Sequence, residues 1–198
     1  MSVGSDVLAD LVRQVRDRAP RLGSVPPDAG PSSGTRLVVI DGPAGSGKTS
    51  LAAQLGESLP AQVLHMDDLY EGWRGLEPAW ERLDEWVLRP LATGRSGRYR
   101  RFDWVQDAFA EWHEVPVAPF LVVEGCGAGR LEAGTVASLR VWVEAPDGLR
   151  LARGLDRDGE AMREHWLAWM ETEVEHYARN RTRERADVRL DGFGRRVT

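Results

Sequence analysis

The chain has 198 residues, a length that fits one domain around a single hydrophobic core. With 42% hydrophobic residues, 29% charged residues and a net charge of -5, it is neither a largely disordered chain nor a typical general nucleic-acid binder, which needs a clustered positive surface. The single cysteine, Cys126, excludes an intramolecular disulfide and a multi-cysteine metal site and favours the reducing cytoplasm. Because no apolar run approaches the roughly 18 residues of a membrane span, we expect no membrane partner. The negative net charge leads us to expect no nucleic-acid partner either.

The first 34 residues are predicted to form a leading helix and a linker. Five apolar residues recur at helical spacing between Asp6 and Arg18: Val7, Leu8, Leu11, Val12 and Val15. The stretch from Pro20 to Gly34 is rich in Pro, Gly and Ser and has no periodicity, which is typical of a linker or surface loop. We therefore expect residues 1–34 to precede a main domain over residues 35–198, and the helix either packs on that domain or binds a partner.

From Thr35 onward, short apolar runs alternate with helical segments. The predicted strands are Arg36 to Ile40, Gln62 to His65, Phe120 to Val123, Leu139 to Val143 and Val188 to Leu190. The predicted helices are Lys48 to Ser58, Pro78 to Leu91, Asp147 to Asp156 and Glu160 to Arg179. Several strands are continuously apolar, as strands covered on both faces must be, so the pattern predicts a three-layer α/β domain with a mostly parallel five-stranded sheet and helices on both faces.

A glycine-rich loop connects the first of these strands to the helix that follows it. The loop and the residue after it are Gly42, Pro43, Ala44, Gly45, Ser46, Gly47, Lys48, Thr49 and Ser50. They match G-x-x-x-x-G-K-[ST] at every fixed position, between a strand and a helix as that pattern requires. Backbone N–H groups of such a loop bind phosphate oxygens, Lys48 can contact the β- and γ-phosphates during transfer, and the Thr49 hydroxyl can ligate Mg²⁺. The sequence therefore predicts binding of ATP and Mg²⁺, with GTP in place of ATP left open; Lys48 is the only lysine, which favours a functional role.

Acidic residues follow two other predicted strands, at the ends where open α/β sheets bind ligands. Asp67 and Asp68 follow the second strand; one can accept the proton of an attacking hydroxyl, while the other caps the next segment or holds water on Mg²⁺. Alternatively, the two form a helix N-cap pair. Glu124 follows the third strand and is predicted to hold Mg²⁺ together with Thr49, unless it is a strand-end acid that faces solvent.

The predicted helix that begins at Asp147 carries Arg150, Arg153 and Arg157 at spacings of three and four, which places them on one face. Guanidinium groups can stabilise the charge of a transferring phosphoryl group, and a mobile segment that carries them can exclude water. Arg153 and Arg157 are the predicted contacts to that group, in a helical lid around residues 150–165. The alternative is a solvated face paired with nearby acids.

Aromatic residues flank Asp103 between the acid pair and the third strand. Phe102 or Trp104 can stack on a flat or sugar-like group, and Asp103 can hydrogen-bond to acceptor hydroxyls, although aromatic residues near a sheet are more often core. Trp166 and Trp169, three residues apart on the last long helix, are predicted to pack in the core or at the base of the lid rather than to bind substrate.

The remaining reactive side chains receive no site assignment. His65 and His113 have no partners at metal-ligand spacing. Cys126 is predicted to pack as a small apolar residue.

The segments IDGPAGSGKTS, HMDDLY and LVVEG together resemble the uridine kinase family of P-loop kinases, whose relatives include nicotinamide riboside kinases, pantothenate kinases and phosphoribulokinases. The resemblance covers roughly Leu37 to Gly192 and implies the P-loop NTPase fold. It further implies that Asp67 is the catalytic aspartate, that Tyr70 lies near the acceptor and that Glu124 is the acid after the third strand.

The chain departs from the family pattern at two places. Gly154 stands where a second consecutive arginine is usual, so the lid is either weaker or completed by Arg163. The stretch Phe102 to Trp104 looks like the aromatic-Asp-aromatic segment with which uridine kinases hold the nucleoside, but Val105 and the residues after it replace the family's His and Arg.

Together these features predict ATP-dependent phosphoryl transfer to a hydroxyl of a small molecule, with a nucleoside-like acceptor favoured. One alternative is a kinase of another alcohol, such as pantothenate, a sugar or an antibiotic. The other is a regulatory P-loop ATPase without a small acceptor. We expect a cytoplasmic enzyme; the acceptor's identity and the oligomeric state, including a homo-oligomer, stay open.

Overall fold

A parallel sheet forms the centre of the molecule in the computed structural model, which describes residues 3–23 and 34–197. The strands are β1 (Arg36–Asp41), β2 (Gln62–His65), β3 (Gly97–Asp103), β4 (Ala108–Val115), β5 (Phe120–Glu124), β6 (Ala137–Glu144) and β7 (Val188–Asp191). Five of them form the central sheet in the order β2-β5-β1-β6-β7, and all neighbouring pairs are parallel. The predicted three-layer α/β fold with a five-stranded sheet is therefore confirmed.

Helices cover both faces of this sheet. They are α1 (Ser5–Asp17), α2 (Lys48–Ser58), α3 (Leu76–Leu83), α4 (Arg89–Ala92), α5 (Ala133–Val136), α6 (Asp147–Asp158), α7 (Arg163–Asn180) and α8 (Thr182–Arg185). A π-helical segment, Asp84–Leu88, joins α3 to α4, so the predicted helix from Pro78 to Leu91 consists of three segments. Among the described helices, none combines the length and the apolarity needed to cross a bilayer.

The continuous apolar strands supply two hydrophobic cores, one on each face. In β1, Leu37 and Val39 pack with α3, whereas Val38 and Ile40 pack with α2 on the opposite face. This is why the strand contains no polar alternation.

The leading helix packs on the body of the protein. α1 is amphipathic, and Leu11 and Val15 are completely buried in the same core as α2. Most of the predicted linker after it, residues 24–33, lies outside the described residues; the parts on either side are joined by an antiparallel bridge between Leu22 and Thr35.

An antiparallel hairpin of β3 and β4 stands apart from the central sheet, and the sequence did not indicate it. Its first strand contains two consecutive arginines, and a register shift between Arg100 and Phe102 interrupts the pairing. These features interrupt the regular alternation of apolar and polar residues by which a half-buried strand is recognised.

Candidate active site

The phosphate loop, residues 42–49, leads from the end of β1 into the first turn of α2. Close packing requires a glycine at two positions of this loop. A Cβ on Gly42 would lie 2.0 Å from the carbonyl oxygen of Val143, and one on Gly45 would lie 2.7 Å from that of Arg150; both glycines also have a positive φ. The loop is thus pressed against β6 on one side and α6 on the other.

A buried carboxylate at the end of β1 fixes the start of this loop. Asp41 accepts hydrogen bonds from the backbone N–H groups of Gly42 (2.6 Å), Gly127 (3.0 Å) and Gly129 (2.8 Å), and from the hydroxyl of Tyr177 (3.0 Å). Burial raises the pKa of Asp41, although the hydrogen bonds from Gly129 and Gly42 oppose this. Asp41 was not predicted; its only sequence signal is an acid that ends an apolar strand directly before the glycine loop.

Lys48 lies buried beneath the loop. Its ammonium donates hydrogen bonds to the carbonyl oxygens of Gly42 at 2.8 Å and Pro43 at 3.0 Å. Burial by itself would lower the pKa of Lys48, but the nearby acids Glu124, Glu173 and Asp41 raise it overall, so the side chain is positively charged. In the described part of the chain, the buried hydroxyl of Ser46 has no hydrogen-bond partner, which leaves a polar group of the loop free for a ligand.

Glu124 connects the phosphate loop to the end of β2. The Thr49 hydroxyl donates to Oε1 of Glu124 at 3.0 Å, and Nδ1 of His65 lies 2.6 Å from the same oxygen. This hydrogen bond raises the pKa of His65. The sequence spacing indicated no metal-ligand partner for His65 and did not reveal this contact, which arises because the pairing of β2 with β5 places His65 beside Glu124, 59 residues further along the chain.

The oxygens of Thr49 and Glu124 form a donor set that suits Mg²⁺, which prefers oxygen ligands and often takes only one or two from the protein, with phosphates and water as the rest. Within residues 3–23 and 34–197, no group of three or more His, Cys, Asp and Glu side chains has the geometry of a metal site. The arrangement thus fits a metal brought with a nucleotide rather than one held by a protein cage.

The acid pair after β2 lies in a single 3₁₀ turn, Met66–Asp68. Asp68 accepts a hydrogen bond from the hydroxyl of Tyr99 at 3.1 Å, whereas no donor in the described residues contacts the carboxylate of Asp67. Trp104 instead donates to the main-chain oxygen of Asp67 at 3.0 Å. Asp67 is exposed to the cavity, yet desolvation by the protein around it, followed by the charge of Glu124, raises its pKa. The N-cap alternative is not supported, because neither carboxylate accepts a bond from a backbone N–H in this part of the chain.

A cavity of about 590 Å³ brings these groups together. The sequence-predicted site residues around it are Ala44, Gly45, Lys48, Thr49, Asp67, Tyr70, Phe102, Trp104, Glu124 and Arg157. The lining thus combines residues of the phosphate loop, Glu124, aromatic rings and Asp67. The cavity therefore has room for a second molecule beside a nucleotide phosphate.

Seven of the predicted site residues do not line this cavity: Asp103, Arg153 and, from the loop segment, Gly42, Pro43, Ser46, Gly47 and Ser50. The carboxylate of Asp103 accepts hydrogen bonds from the backbone N–H groups of Val105 (2.9 Å) and Gln106 (3.0 Å), so it holds the turn between β3 and β4. Arg153 donates to the carbonyl oxygens of Gly45 at 3.0 Å and Gly192 at 3.2 Å. Contact of Arg153 with the phosphoryl group stays a prediction, as does hydroxyl binding by Asp103.

The arginines of α6 have different surroundings rather than one shared role. Arg150 is buried and pairs with Glu173 at 3.0 Å, while Arg157 is largely exposed, faces the cavity and pairs with Asp158 at 2.7 Å. Gly154 lies between them against the Trp166 ring, which leaves no space for a second arginine. Closure of this segment as a lid stays a prediction.

Aromatic residues that the sequence did not assign to the site form much of the cavity wall. Trp73 has its ring centroid 5.6 Å from that of Trp104, 6.3 Å from Trp166 and 6.0 Å from Trp169. Trp166 and Trp169 are buried, as predicted, yet they also line the cavity. Their spacing on α7 could not reveal this, because it depends on which residues the helix packs against.

Cys126 is also a cavity residue, and its thiol contacts polar groups. Its Sγ lies 3.1 Å from Glu173 Oε1 and 3.8 Å from Lys48 Nζ. Burial raises the pKa of this thiol well above its ordinary value, so it is uncharged. As predicted, Cys126 packs in the same hydrophobic core as Leu37 and Val39, and its thiol in addition contacts these polar groups.

The described strands, helices and loop together define a three-layer P-loop NTPase fold. The fold is shared with a protein from Bacillus stearothermophilus described as a possible uridine kinase, at 20% identity and a TM-score of 0.64 over 94% of this chain and 98% of that one. It is also shared with a protein from Silicibacter sp. provisionally described as a fructose transport system kinase, at 22% identity and a TM-score of 0.65 over 92% and 98%.

In sequence, the chain is similar to a cytidylate kinase from Natronomonas pharaonis, with 30% identity over 131 residues. The match covers 64% of this chain and 60% of that protein, so the chain spans about three fifths of the curated relative's length. A comparison with protein-family models found no match.

Proposed function

We propose that this protein transfers the γ-phosphoryl group of ATP to a hydroxyl of a small molecule. The observation that carries the proposal is the placement of the Asp67 carboxylate, which has no hydrogen-bond donor among the described residues, in the wall of the same cavity as Lys48 and Thr49. A hydrolase needs only the phosphate loop and a water site, whereas an unpaired base beside a cavity of this size suits an organic acceptor. Because the single cysteine forms no intramolecular disulfide, we also propose a cytoplasmic site of action.

In this mechanism the loop N–H groups and Lys48 bind the phosphates, and Asp67 accepts the proton of the acceptor hydroxyl as its oxygen attacks the γ-phosphorus. The bond from that phosphorus to the β–γ bridging oxygen breaks, and ADP leaves. Arg157, whose guanidinium faces the cavity, offsets charge on the transferring group. Thr49 and Glu124 would hold Mg²⁺, which neutralises phosphate charge when bound.

The raised pKa of Asp67 suits this task, because a more basic carboxylate accepts a proton more readily. The nearby aromatic rings support an acceptor with a flat portion, and we propose a nucleoside-like alcohol. Phe102 and Trp104 of the hairpin and Trp73 of the preceding loop are placed to stack on it.

A screen of nucleosides, sugars and vitamins with γ-labelled ATP tests the proposal. We expect one hydroxyl compound to become labelled, and Asp67→Asn to slow labelling by about 10²- to 10⁴-fold while ATP binding persists. Asp156→Asn makes the same chemical change at an exposed position of α6 and should leave the rate unaltered. Hydrolysis alone with every acceptor, unaffected by Asp67→Asn, would instead indicate a P-loop ATPase without a small acceptor.

A further inference from the structure

One buried carboxylate joins the phosphate loop to the aromatic wall of the cavity. Glu173 of α7 is 1% exposed. Its Oε1 accepts hydrogen bonds from the backbone N–H of Ala44 at 2.5 Å and from the indole N–H of Trp169 at 2.9 Å. Its Oε2 accepts a bond from Arg150 at 3.0 Å. The transfer steps described above do not use Glu173.

The peptide groups on both sides of Ala44 are held by this ion pair. Glu173 accepts from the N–H of Ala44, while Arg150 donates to its carbonyl oxygen at 3.0 Å. A buried ion pair gains little stability over a well-packed apolar pair, because both charges must be removed from water. A gain in stability is therefore a weak explanation for the presence of a buried charge at Glu173. Its position has a more specific effect, because it fixes the backbone of the phosphate loop at Ala44.

Trp169 extends this connection to the acceptor side. Its ring centroid lies 5.1 Å from that of Tyr70 and 6.0 Å from that of Trp73, which in turn lies 5.6 Å from Trp104 on the hairpin. Since Trp169 and Ala44 donate to the same oxygen, a shift of Ala44 on phosphate binding changes the hydrogen bond of the indole. Trp169 and Tyr70 are buried in one core cluster and Trp73 packs against it, so a movement of the indole displaces its neighbours.

We propose that Glu173 is a positioning residue that couples nucleotide binding at the phosphate loop to the arrangement of the aromatic acceptor wall through Trp169. The inference rests on the nucleotide-binding part of the proposed function. Coupling of this kind is reciprocal, so an acceptor that contacts Trp169 changes the affinity for nucleotide by the same factor.

The test uses the full-length protein labelled with 5-fluorotryptophan and observed by ¹⁹F NMR, with the Trp169 resonance assigned from Trp169→Phe. Saturating Mg²⁺ and a non-hydrolysable ATP analogue should shift the Trp169 resonance of the wild type. In Glu173→Gln, at a saturating concentration for that variant, we expect the shift to fall to less than half. Glu171→Gln, an exposed glutamate of the same helix, should retain it, and Trp112 on β4 serves as an internal reference.

Equal Trp169 shifts in the wild type and Glu173→Gln, or a wild-type shift no larger than that of Trp112, would overturn the coupling while nucleotide binding stands. Failure of the wild type to bind the analogue would instead overturn the proposed function. If Glu173→Gln does not fold, the double variant Glu173→Gln/Arg150→Met removes both charges together and should show the same reduced shift. A full shift in that double variant would also refute the proposal.

Discussion

Replacement of Gly154 by alanine measures how tightly α6 and α7 pack beside the cavity. A Cβ at this position would lie 2.3 Å from the nearest atom of the Trp166 ring, so the ring must move by about 1.1 Å to reach ordinary contact at 3.4 Å. That ring is 2% exposed, and its N–H donates to Asp158 at 3.0 Å, which restricts the movement. Overpacking costs about 1–3 kcal/mol, whereas alanine gains about 1 kcal/mol over glycine in a helix. We expect a net loss of about 1 kcal/mol in the free energy of unfolding.

Gly148 provides the matched control, because it lies in the same helix and a Cβ there would meet nothing within 4 Å. Gly148→Ala should gain up to about 1 kcal/mol, so the two variants should differ by about 2 kcal/mol in urea unfolding followed by circular dichroism. If Gly154→Ala is as stable as Gly148→Ala, the Trp166 ring does not restrict this position and the expected overpacking is refuted. In a Trp166→Leu background, Gly154→Ala should lose its penalty, since the ring that it contacts is gone.

Three further outcomes are expected. Lys48→Met should lower the initial rate of labelling from ATP by about 10²- to 10³-fold in the acceptor assay, because a cation that binds the phosphates is lost. Trp104→Ala should raise the acceptor KM by up to about tenfold in steady-state kinetics, because a stacking ring is lost, and leave the ATP KM within about twofold, because the phosphate loop is unaltered. Burial would raise the pKa of Asp187, but hydrogen bonds from the side chain and backbone N–H of Arg140 lower it overall. Stability from this carboxylate is therefore present above its unfolded pKa, about 3.9, and is lost as the pH falls through the lower folded pKa. Because Asp187 is exposed and its ion pair is screened by solvent, Asp187→Asn should then lower the free energy of unfolding by only about 0.5–1 kcal/mol at pH 7, and urea titrations should show the difference shrinking below about pH 4.

The sequence by itself determined the central layer of the fold and the phosphate loop. The strand β2 and the helix α2 have the predicted bounds, and the other central strands lie within a few residues of theirs. These features depend on local rules: a strand buried on both faces must be apolar throughout, and a phosphate loop needs glycines and a lysine at fixed spacing. Asp67 and Glu124 could be found for the same reason, because the carboxyl ends of parallel strands lie at one edge of the sheet.

Only the tertiary structure decided which of the candidate side chains share the cavity. Arg150, Arg153 and Arg157 were all predicted from the same helical spacing. Yet Arg150 pairs with Glu173, Arg153 contacts loop carbonyls and Arg157 faces the cavity. Likewise, the contact between His65 and Glu124 depends on strand pairing. Spacing along a chain fixes the face of a helix on which a residue lies, but the partner of that face is chosen by packing between distant elements, which no local pattern records.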